Sequence, residues 1–215
     1  MLKKSLLIIF LILFIDQAVK IWIKTNMYIG QEYSVFGNWF IIHFTENEGM
    51  AFGMKFGGEY GKLILSLFRI IAVGGIGWYL FKLIKENADK LYIICMSLIF
   101  AGAVGNIIDS VFYGMIFSES YFNIAQFMPA DGGYGSFLHG KVVDMLYFPL
   151  ISGNYPKWLP FWGGEDYLFF RPVFNIADSA ISIGVVLLII FQKRFFKKEN
   201  DNKENTDTKV SDVTA

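Results

Sequence analysis

The chain has 215 residues, of which 54% are hydrophobic, and its mean hydropathy is +0.45. Soluble globular domains contain about 45–50% apolar residues even when glycine is counted, and here the apolar residues fall in blocks about one bilayer long, so the composition excludes an ordinary soluble protein. The formal net charge is zero and no basic cluster with interleaved aromatics is present, so nothing indicates nucleic acid as a partner.

Cysteine and histidine are too sparse to build a covalent or metal-binding framework. The one cysteine, Cys95, lies in an apolar block, and a single cysteine excludes an intrachain disulfide. The two histidines are isolated in the sequence and show no metal-ligand spacing. We therefore expect no metal and no other cofactor.

Four apolar segments are long enough to span a membrane, and the length suits one domain over residues 1–198. The fold class indicated is an all-α polytopic membrane protein with a small β-element on the outer surface and an extended outer loop. The expected spans are about residues 5–24, 63–83, 91–112 and 173–193, the expected outer loops are 25–62 and 113–172, and a disordered cytoplasmic tail is expected at 199–215.

The first span follows Lys3 and Lys4 and contains two charged residues. No small-residue cleavage site follows its apolar core, which favours a retained helix over a cleaved signal peptide. Asp16 and Lys20 are four residues apart, so they share a helical face and can pair. Such a pair either orients the helix or belongs to a polar site, and this segment alone leaves both readings open.

The first outer loop contains a predicted strand and a turn. Residues Trp39–Phe44 form a mostly apolar run bounded by glycine and asparagine, which is typical of a buried strand. The segment Asn47–Gly53 that follows is rich in glycine and carries Asn47 and Gly49. By itself this turn is only a loop.

The second and third spans carry polar residues within apolar helices. Arg69 lies in the second span, where it either faces a site or extends its side chain to the membrane interface. In the third span, Asn106 and Asp109 are three residues apart and share a face. Gly102 and Gly105 precede them and suit close contact between helices.

The fourth span is preceded by Asp144 in the long outer loop and carries Asn175 and Asp178 at its start. An ionisable residue within a membrane span is expensive and is a functional-site hypothesis by default. Basic residues are dense at both termini and in the turn at residues 82–90, so these regions are expected in the cytoplasm. On that topology all the polar residues of the spans gather at one depth near the outer surface.

Two carboxylates at one site, Asp144 and Asp178, are the best candidates for chemistry. They cannot easily both ionise, so one keeps a proton. The ionised group can then take a proton from water while the other protonates a carbonyl oxygen, which is aspartic-protease chemistry. Two alternatives remain on these residues alone: the two carboxylates bind helix ends, or the chain is a small transporter or ion carrier. Against a transporter, the sequence shows no internal repeat.

Five motifs and Arg69, in order along residues 16–182, give the chain a resemblance to a known family. The motif residues are Asp16 and Lys20; Asn47, Gly49, Ala51 and Phe52; Gly102, Ala103, Gly105, Asn106 and Asp109; Gly140, Val142, Val143 and Asp144; and Phe174, Asn175, Ala177 and Asp178. With these residues the chain resembles the lipoprotein signal peptidases (signal peptidase II), which are bacterial inner-membrane aspartic peptidases with four transmembrane helices.

The resemblance implies an aspartic endopeptidase whose catalytic residues are Asp144 and Asp178. It implies diacylglyceryl-modified prolipoproteins as substrates, cleavage just before the lipidated cysteine, contact with membrane lipid, inhibition by globomycin-type cyclic peptides and a monomer. The active site is expected near the outer face of the inner membrane. The residues implied to bind substrate or support the site are Asp16, Lys20, Asn47, Gly49, Arg69, Asn106, Asp109 and Asn175.

The sequence departs from the family pattern at three places. Ser110 stands where many members have arginine, and Met50 stands where a small residue is common. The outer loop is also long, with insertions at residues 117–139 and 151–169 relative to compact members. The functions of these insertions stay open at this point.

Overall fold

The structure, a computed structural model, describes residues 1–48, 58–169 and 171–211. Its long helices are α1 (Leu2–Asn26), α2 (Gly58–Lys85), α3 (Lys90–Ile108) and α5 (Ile176–Ser211); a π-helical turn (Asp109–Tyr113) joins α3 to the short α4 (Gly114–Ile116). The strands are β1 (Glu32–Phe36), β2 (Phe40–Asn47), β3 (Val142–Tyr147), β4 (Ile151–Asn154), β5 (Asp166–Phe169) and β6 (Val173–Phe174).

Within the described residues, four helical segments are long and apolar enough to cross a membrane. They are Leu2–Asn26, Tyr60–Lys85, Lys90–Ile116 and Ile176–Phe195. The shortest has 20 residues, which at about 1.5 Å per residue matches a hydrocarbon core about 30 Å thick. Large apolar side chains such as Phe10, Phe68 and Ile189 are exposed on these helices, as expected of surfaces that face lipid.

The strands form a small antiparallel sheet in the order β1-β2-β3-β6, and β4 and β5 form a separate hairpin. The predicted strand at residues 39–44 is confirmed as β2, which extends three residues further. The chain enters the sheet from the C-terminal end of α1 and leaves β6 into the N-terminal end of α5. The sheet therefore lies at that end of the helices, which we call the site end.

One buried apolar cluster joins the site end of the helices to the sheet. It contains Ile23 from α1, Met27 directly after α1, Phe44 from β2, Tyr113 from the π-helical turn and Val143 from β3, together with Phe117, Ala125 and Met145. Phe44 and Val143 are completely buried. Burial of an apolar side chain of this size contributes about 1.5–3 kcal/mol, so this cluster fixes the sheet on the helices.

The fourth long helix begins at Ile176, three residues after the start expected from apolarity. The reason is that Val173 and Phe174 pair with Tyr147 and Leu146 as the edge strand β6. The helix continues to Ser211 through the polar residues at its end. The expectation that residues 199–215 are disordered stays a prediction.

Candidate active site

Asp144 and Asp178 lie at the junction between the sheet and the helices, where one asparagine connects them. Asp144 is the third residue of β3 and Asp178 is the third residue of α5. The side-chain nitrogen of Asn175 donates a hydrogen bond to Oδ1 of Asp144 at 2.7 Å. The side-chain oxygen of the same asparagine accepts a hydrogen bond from the backbone nitrogen of Asp178 at 2.9 Å.

Asn175 precedes α5 and caps its N-terminus. An N-cap side chain accepts a hydrogen bond from the third residue of the helix, and a carboxylate at that third position can bond back to the backbone of the cap residue. Both bonds are present, because Oδ2 of Asp178 accepts a hydrogen bond from the backbone nitrogen of Asn175 at 3.3 Å. Asp178 is thus held at the positive end of a helix dipole, which stabilises its negative charge.

Asn106 connects the two carboxylates to α3. Its side-chain nitrogen donates to Oδ1 of Asp178 at 2.7 Å, and its side-chain oxygen accepts from Asn175 at 3.1 Å and from Nζ of Lys20 at 3.0 Å. These three hydrogen bonds together fix the orientation of the Asn106 amide, so its nitrogen donates to Asp178 from one defined position. Helix α3 therefore contributes directly to the geometry of the carboxylate pair.

The two carboxylates have different environments. Asp144 is only 5% exposed, whereas Asp178 is half-buried. Burial, and then the negative charge of Asp178, raise the pKa of the Asp144 carboxyl from the usual 3.8 to about 7. The side chains of Asn175 and Asn47 donate hydrogen bonds to the Asp144 carboxylate and partly oppose that rise in pKa. The environment of Asp144 therefore favours its protonated form far more than water would.

Arg69 brings a positive charge to this pair from α2. It is half-buried and interacts electrostatically with both carboxylates, more strongly with Asp178 than with Asp144. Arginine stays protonated in proteins, so it offsets part of the negative charge at the site. The reading in which Arg69 faces the site is thus the one that the structure supports.

Behind the carboxylate pair lies a buried ion cluster made by Lys20, Asp16 and Asp109. Nζ of Lys20 is 2.9 Å from Oδ2 of Asp16 and 2.8 Å from Oδ2 of Asp109, and all three side chains are completely buried. A buried charge is costly unless it is paired and hydrogen-bonded, and here each charge has a partner. The predicted pairing of Asp16 with Lys20 is confirmed.

Each aspartate of this cluster also holds the backbone beside one member of the pair. Oδ1 of Asp16 accepts a hydrogen bond from the backbone nitrogen of Ala177, one residue before Asp178, at 2.9 Å. Oδ2 of Asp109 accepts from the backbone nitrogen of Val143, one residue before Asp144, at 3.2 Å. Lys20 binds both aspartates, so a single ion cluster sets the relative position of β3 and α5.

Gln17 belongs to the same network, although the sequence analysis did not identify it as a site residue. Its side-chain nitrogen donates to Oδ1 of Asp109 at 2.9 Å, and its oxygen accepts from the hydroxyl of Tyr113 at 3.1 Å. The available signal was an uncharged amide inside an apolar helix, directly after Asp16. In a membrane span such a group needs internal partners just as a charge does.

Two glycines allow α3 to approach this network closely. A side chain built on Gly102 would place its Cβ 2.2 Å from the carbonyl oxygen of Ala177, and one on Gly105 would place its Cβ 2.9 Å from Oδ2 of Asp16. Neither contact is sterically possible. The close helix contact expected from Gly102 and Gly105 is therefore present, and it lies beside Asp178.

Nine of the ten residues singled out in the sequence come together at the site end. They are Asp16, Lys20, Asn47, Arg69, Asn106, Asp109, Asp144, Asn175 and Asp178. Gly49 lies outside the described residues.

A protonated and an ionised carboxyl group at one site can together activate a water molecule for attack on a carbonyl group and protonate the carbonyl oxygen.

A family model described as "Signal peptidase (SPase) II" matches residues 8–194 of the chain. A lipoprotein signal peptidase of Porphyromonas gingivalis is 54% identical over 92% of this chain and 86% of its own length. A lipoprotein signal peptidase of Amoebophilus asiaticus is 39% identical over 93% of this chain and 81% of its own.

Two solved structures of bacterial membrane enzymes resemble this fold. One, at 2.3 Å resolution, has 27% sequence identity and a TM-score of 0.57, and the match covers 89% of this chain and 88% of that one. The other, at 1.9 Å, has 28% identity and a TM-score of 0.55, with 87% and 91% covered.

Proposed function

The chain belongs to the signal peptidase II family and is an aspartic peptidase that processes prolipoproteins, and we propose that Asp144 and Asp178 are its catalytic pair. The observation that carries this assignment is the single amide of Asn175, which bonds to the Asp144 carboxylate and to the backbone of Asp178. Family membership does not favour the alternative of a transporter or ion carrier.

In the proposed mechanism Asp178 is the base and Asp144 is the acid. Asp178, ionised at a helix N-terminus, takes a proton from a water molecule whose oxygen attacks the scissile carbonyl carbon. Asp144, whose pKa is raised to about 7 chiefly by burial, gives its proton to the carbonyl oxygen. In the collapse of the tetrahedral intermediate the C–N bond breaks and the proton held by Asp178 passes to the leaving nitrogen. One hydroxyl group of the intermediate returns its proton to Asp144 as the C=O bond reforms, which restores both carboxyl groups to their starting states.

The proposed supporting residues act through the hydrogen bonds that hold this pair. Asn106 and Asn175 orient the two carboxyl groups, and the ion cluster of Lys20, Asp16 and Asp109 fixes the backbone beside them. Correct orientation of reacting groups can supply several kcal/mol of rate enhancement, and a displacement of about 1 Å can cost about 100-fold. Asn47 donates a hydrogen bond to Asp144 and Arg69 interacts electrostatically with both carboxylates, and in this proposal both residues also contact the substrate.

The proposed substrate is a prolipoprotein whose cysteine already carries a diacylglyceryl group, cut just before that cysteine. A site at the junction of membrane helices and sheet suits a substrate that is held in the membrane by both a signal peptide and a lipid. Contact with membrane lipid, a monomeric state and inhibition by globomycin-type cyclic peptides are parts of the same proposal.

The experiment that tests this function compares one prolipoprotein in two forms, with and without the diacylglyceryl group. The purified enzyme in lipid bilayers should cleave the lipidated form immediately before the cysteine, as read by mass spectrometry of both products. The unmodified form should be cleaved much more slowly. Cleavage at a different bond, or no cleavage of the lipidated form, would contradict the proposal.

The proposed orientation in the bacterial inner membrane has both termini in the cytoplasm and the active site near the outer face. It is supported by the dense basic residues at the termini and in the turn at residues 82–90. A cysteine introduced in place of the exposed Asp131, in a protein that lacks Cys95, should react with a membrane-impermeant maleimide added outside intact spheroplasts. Labelling only after lysis would show that the protein has the opposite orientation in the membrane.

A further inference from the structure

The segment from Tyr121 to Ala130 presents large apolar side chains to the surroundings and contains no charged residue. Phe122 is 98% exposed and Met128 is 70% exposed, and Ile124 and Phe127 are also exposed. Contiguous exposed apolar side chains of this size are rare on surfaces that face only water. This segment lies within the longer outer loop, and the active-site network described above does not include its side chains.

The segment is fastened at the depth where two membrane spans end. The backbone nitrogen of Ala125 donates to the carbonyl oxygen of Lys24, in the last turn of α1, at 3.2 Å. The backbone nitrogen of Met128 donates to the carbonyl oxygen of Ile116, the last residue of the third span, at 2.7 Å. The exposed side chains therefore lie at the level of the span ends.

A buried charged group holds the other side of the segment. Nζ of Lys24 donates to Oγ of Ser120 at 2.9 Å and also pairs with Glu46, and both Lys24 and Ser120 are completely buried. Ala125 packs into the apolar cluster that contains Ile23 and Met27. With one side fixed in this way, the segment presents its apolar side chains in a defined direction.

Two of the exposed apolar residues have left-handed backbone conformations. Phe122 has a φ of 62° and Met128 has a φ of 51°. This conformation is unfavourable for a residue with a side chain. Burial of a phenylalanine or methionine side chain is favourable by a comparable amount, so an apolar environment around these side chains would offset the cost of the backbone conformation.

We propose that residues 121–128 form an interfacial anchor that inserts into the leaflet reached by the C-terminal end of α1. Lipid is the occupant that the observations favour, because the segment is hydrogen-bonded to the last turn of α1, and the large side chains of Trp22 in α1 and Tyr28 just after it are exposed at that end of the span. Aromatic side chains are enriched at this depth of a bilayer. The anchor fixes the depth of residues 121–128 in the membrane.

Fluorescence quenching in proteoliposomes tests this anchor. With Cys95 replaced by alanine, single-cysteine variants Phe122→Cys and Met128→Cys are labelled with bimane, and phosphatidylcholine with a spin label on the upper acyl chain is compared with iodide as quencher. Ile71→Cys, at a position 75% exposed on α2, is the lipid control. Asp131→Cys, at an exposed residue three positions after Met128, is the water control.

We expect the labels at positions 122 and 128 to be quenched by the spin-labelled lipid at least about twofold more than the label at 131, and by iodide at least about twofold less. Labels at 122 and 128 that behave like the one at 131 overturn the proposal. Emission that shifts to the blue without lipid quenching also overturns it, because the surface then contacts protein. Cleavage of lipidated prolipoprotein by each labelled variant confirms that it is folded.

Discussion

At the scale of single residues, Asn175 has two separable tasks. Its side-chain oxygen caps α5 by accepting a hydrogen bond from the Asp178 backbone at 2.9 Å, and its side-chain nitrogen reaches Oδ1 of Asp144 at 2.7 Å. Serine is as good an N-cap as asparagine, but its short hydroxyl cannot reach a second carboxylate at the same time. Substitution can therefore separate the stability of the helix from the geometry of the pair.

We expect Asn175→Ser to keep the cap of α5, to lose some stability through the missing buried hydrogen bonds of the amide nitrogen, and to lose about 100-fold in cleavage rate because the Asp144 carboxyl is no longer held. Asn175→Ala should lose the same activity and a further ~1 kcal/mol of stability through the lost cap. Thermal unfolding in detergent and the initial rate on lipidated substrate measure the two effects. If Asn175→Ser cleaved as fast as the wild type, Asn175 would have no positioning role.

The raised pKa of Asp144 has a consequence for stability that a neutral substitution reveals. In the unfolded chain this carboxyl loses its proton near pH 3.8, whereas in the folded protein it keeps the proton until about pH 7. The folded state therefore binds more protons between pH 4 and pH 7, and stability falls as pH rises through that window.

Asp144→Asn should remove this loss, since an amide does not ionise. The stability that the variant gains relative to the wild type should grow as the pH rises from 4 to 8 and reach about 4 kcal/mol, because the pKa of Asp144 is raised from 3.8 to about 7. Thermal unfolding at both pH values measures the gain. Asp131→Asn, at an exposed aspartate, is the matched control for one lost charge, and a gain no larger than in that control would show that Asp144 ionises like an exposed carboxyl.

At this scale the sequence predicted the pairs that lie within one helix and missed contacts that depend on the fold. Asp16 and Lys20 are four residues apart, so helical periodicity alone placed them together. Asp178 could be recognised as unusual, but its partner Asn175 was expected inside a helix and is instead the cap that precedes it. Lys24 and Glu46 form a buried pair that no local spacing indicates, because they lie on different elements.

At the scale of elements, the contact between α3 and the first turn of α5 decides where Asp178 lies. Gly102 faces the carbonyl oxygen of Ala177 so closely that an added Cβ would be 2.2 Å away. The glycine spacing in the third span predicted close helix contact, but not that this contact lies beside the turn that carries Asp178. The π-helical turn that begins at Asp109 had no sequence signal, although such turns are frequent at functional sites.

We expect Gly102→Ala to move the first turn of α5 away from α3, with a loss of about 1–3 kcal/mol in stability and a large loss of activity. Gly74→Ala is the matched control, because Gly74 is also a helical glycine in a span and nothing lies within 4 Å of an added Cβ there. The two variants are compared by thermal unfolding and cleavage rate. Equal behaviour of the two variants would show that the α3–α5 contact does not position Asp178.

At the scale of the whole molecule, the site lies where the ends of the membrane helices contact the four-stranded sheet. Residues that are far apart in the sequence, such as Asp16 and Asp178, come together because α1 and α3 end, and α5 begins, beside β3. Hydrogen bonds from Ala177 to Asp16 and from Val143 to Asp109 hold these elements together. Positive charge at the termini and the depth of each polar residue within its span predicted this convergence. Apolarity predicted the four spans, but it could not predict that β6 takes the two residues before the cap, since strand pairing depends on β3.

The most direct measurement is cleavage of a lipidated prolipoprotein by Asp144→Asn and by Asp178→Asn, each reconstituted in bilayers. Asparagine keeps the size of the side chain and removes its acid–base function, so each variant should insert and fold while its cleavage rate falls at least about a thousandfold. Asp131→Asn should cleave at the wild-type rate. If Asp144→Asn or Asp178→Asn processed the substrate as fast as the wild type, that residue would not be catalytic and the two-carboxylate mechanism would be wrong.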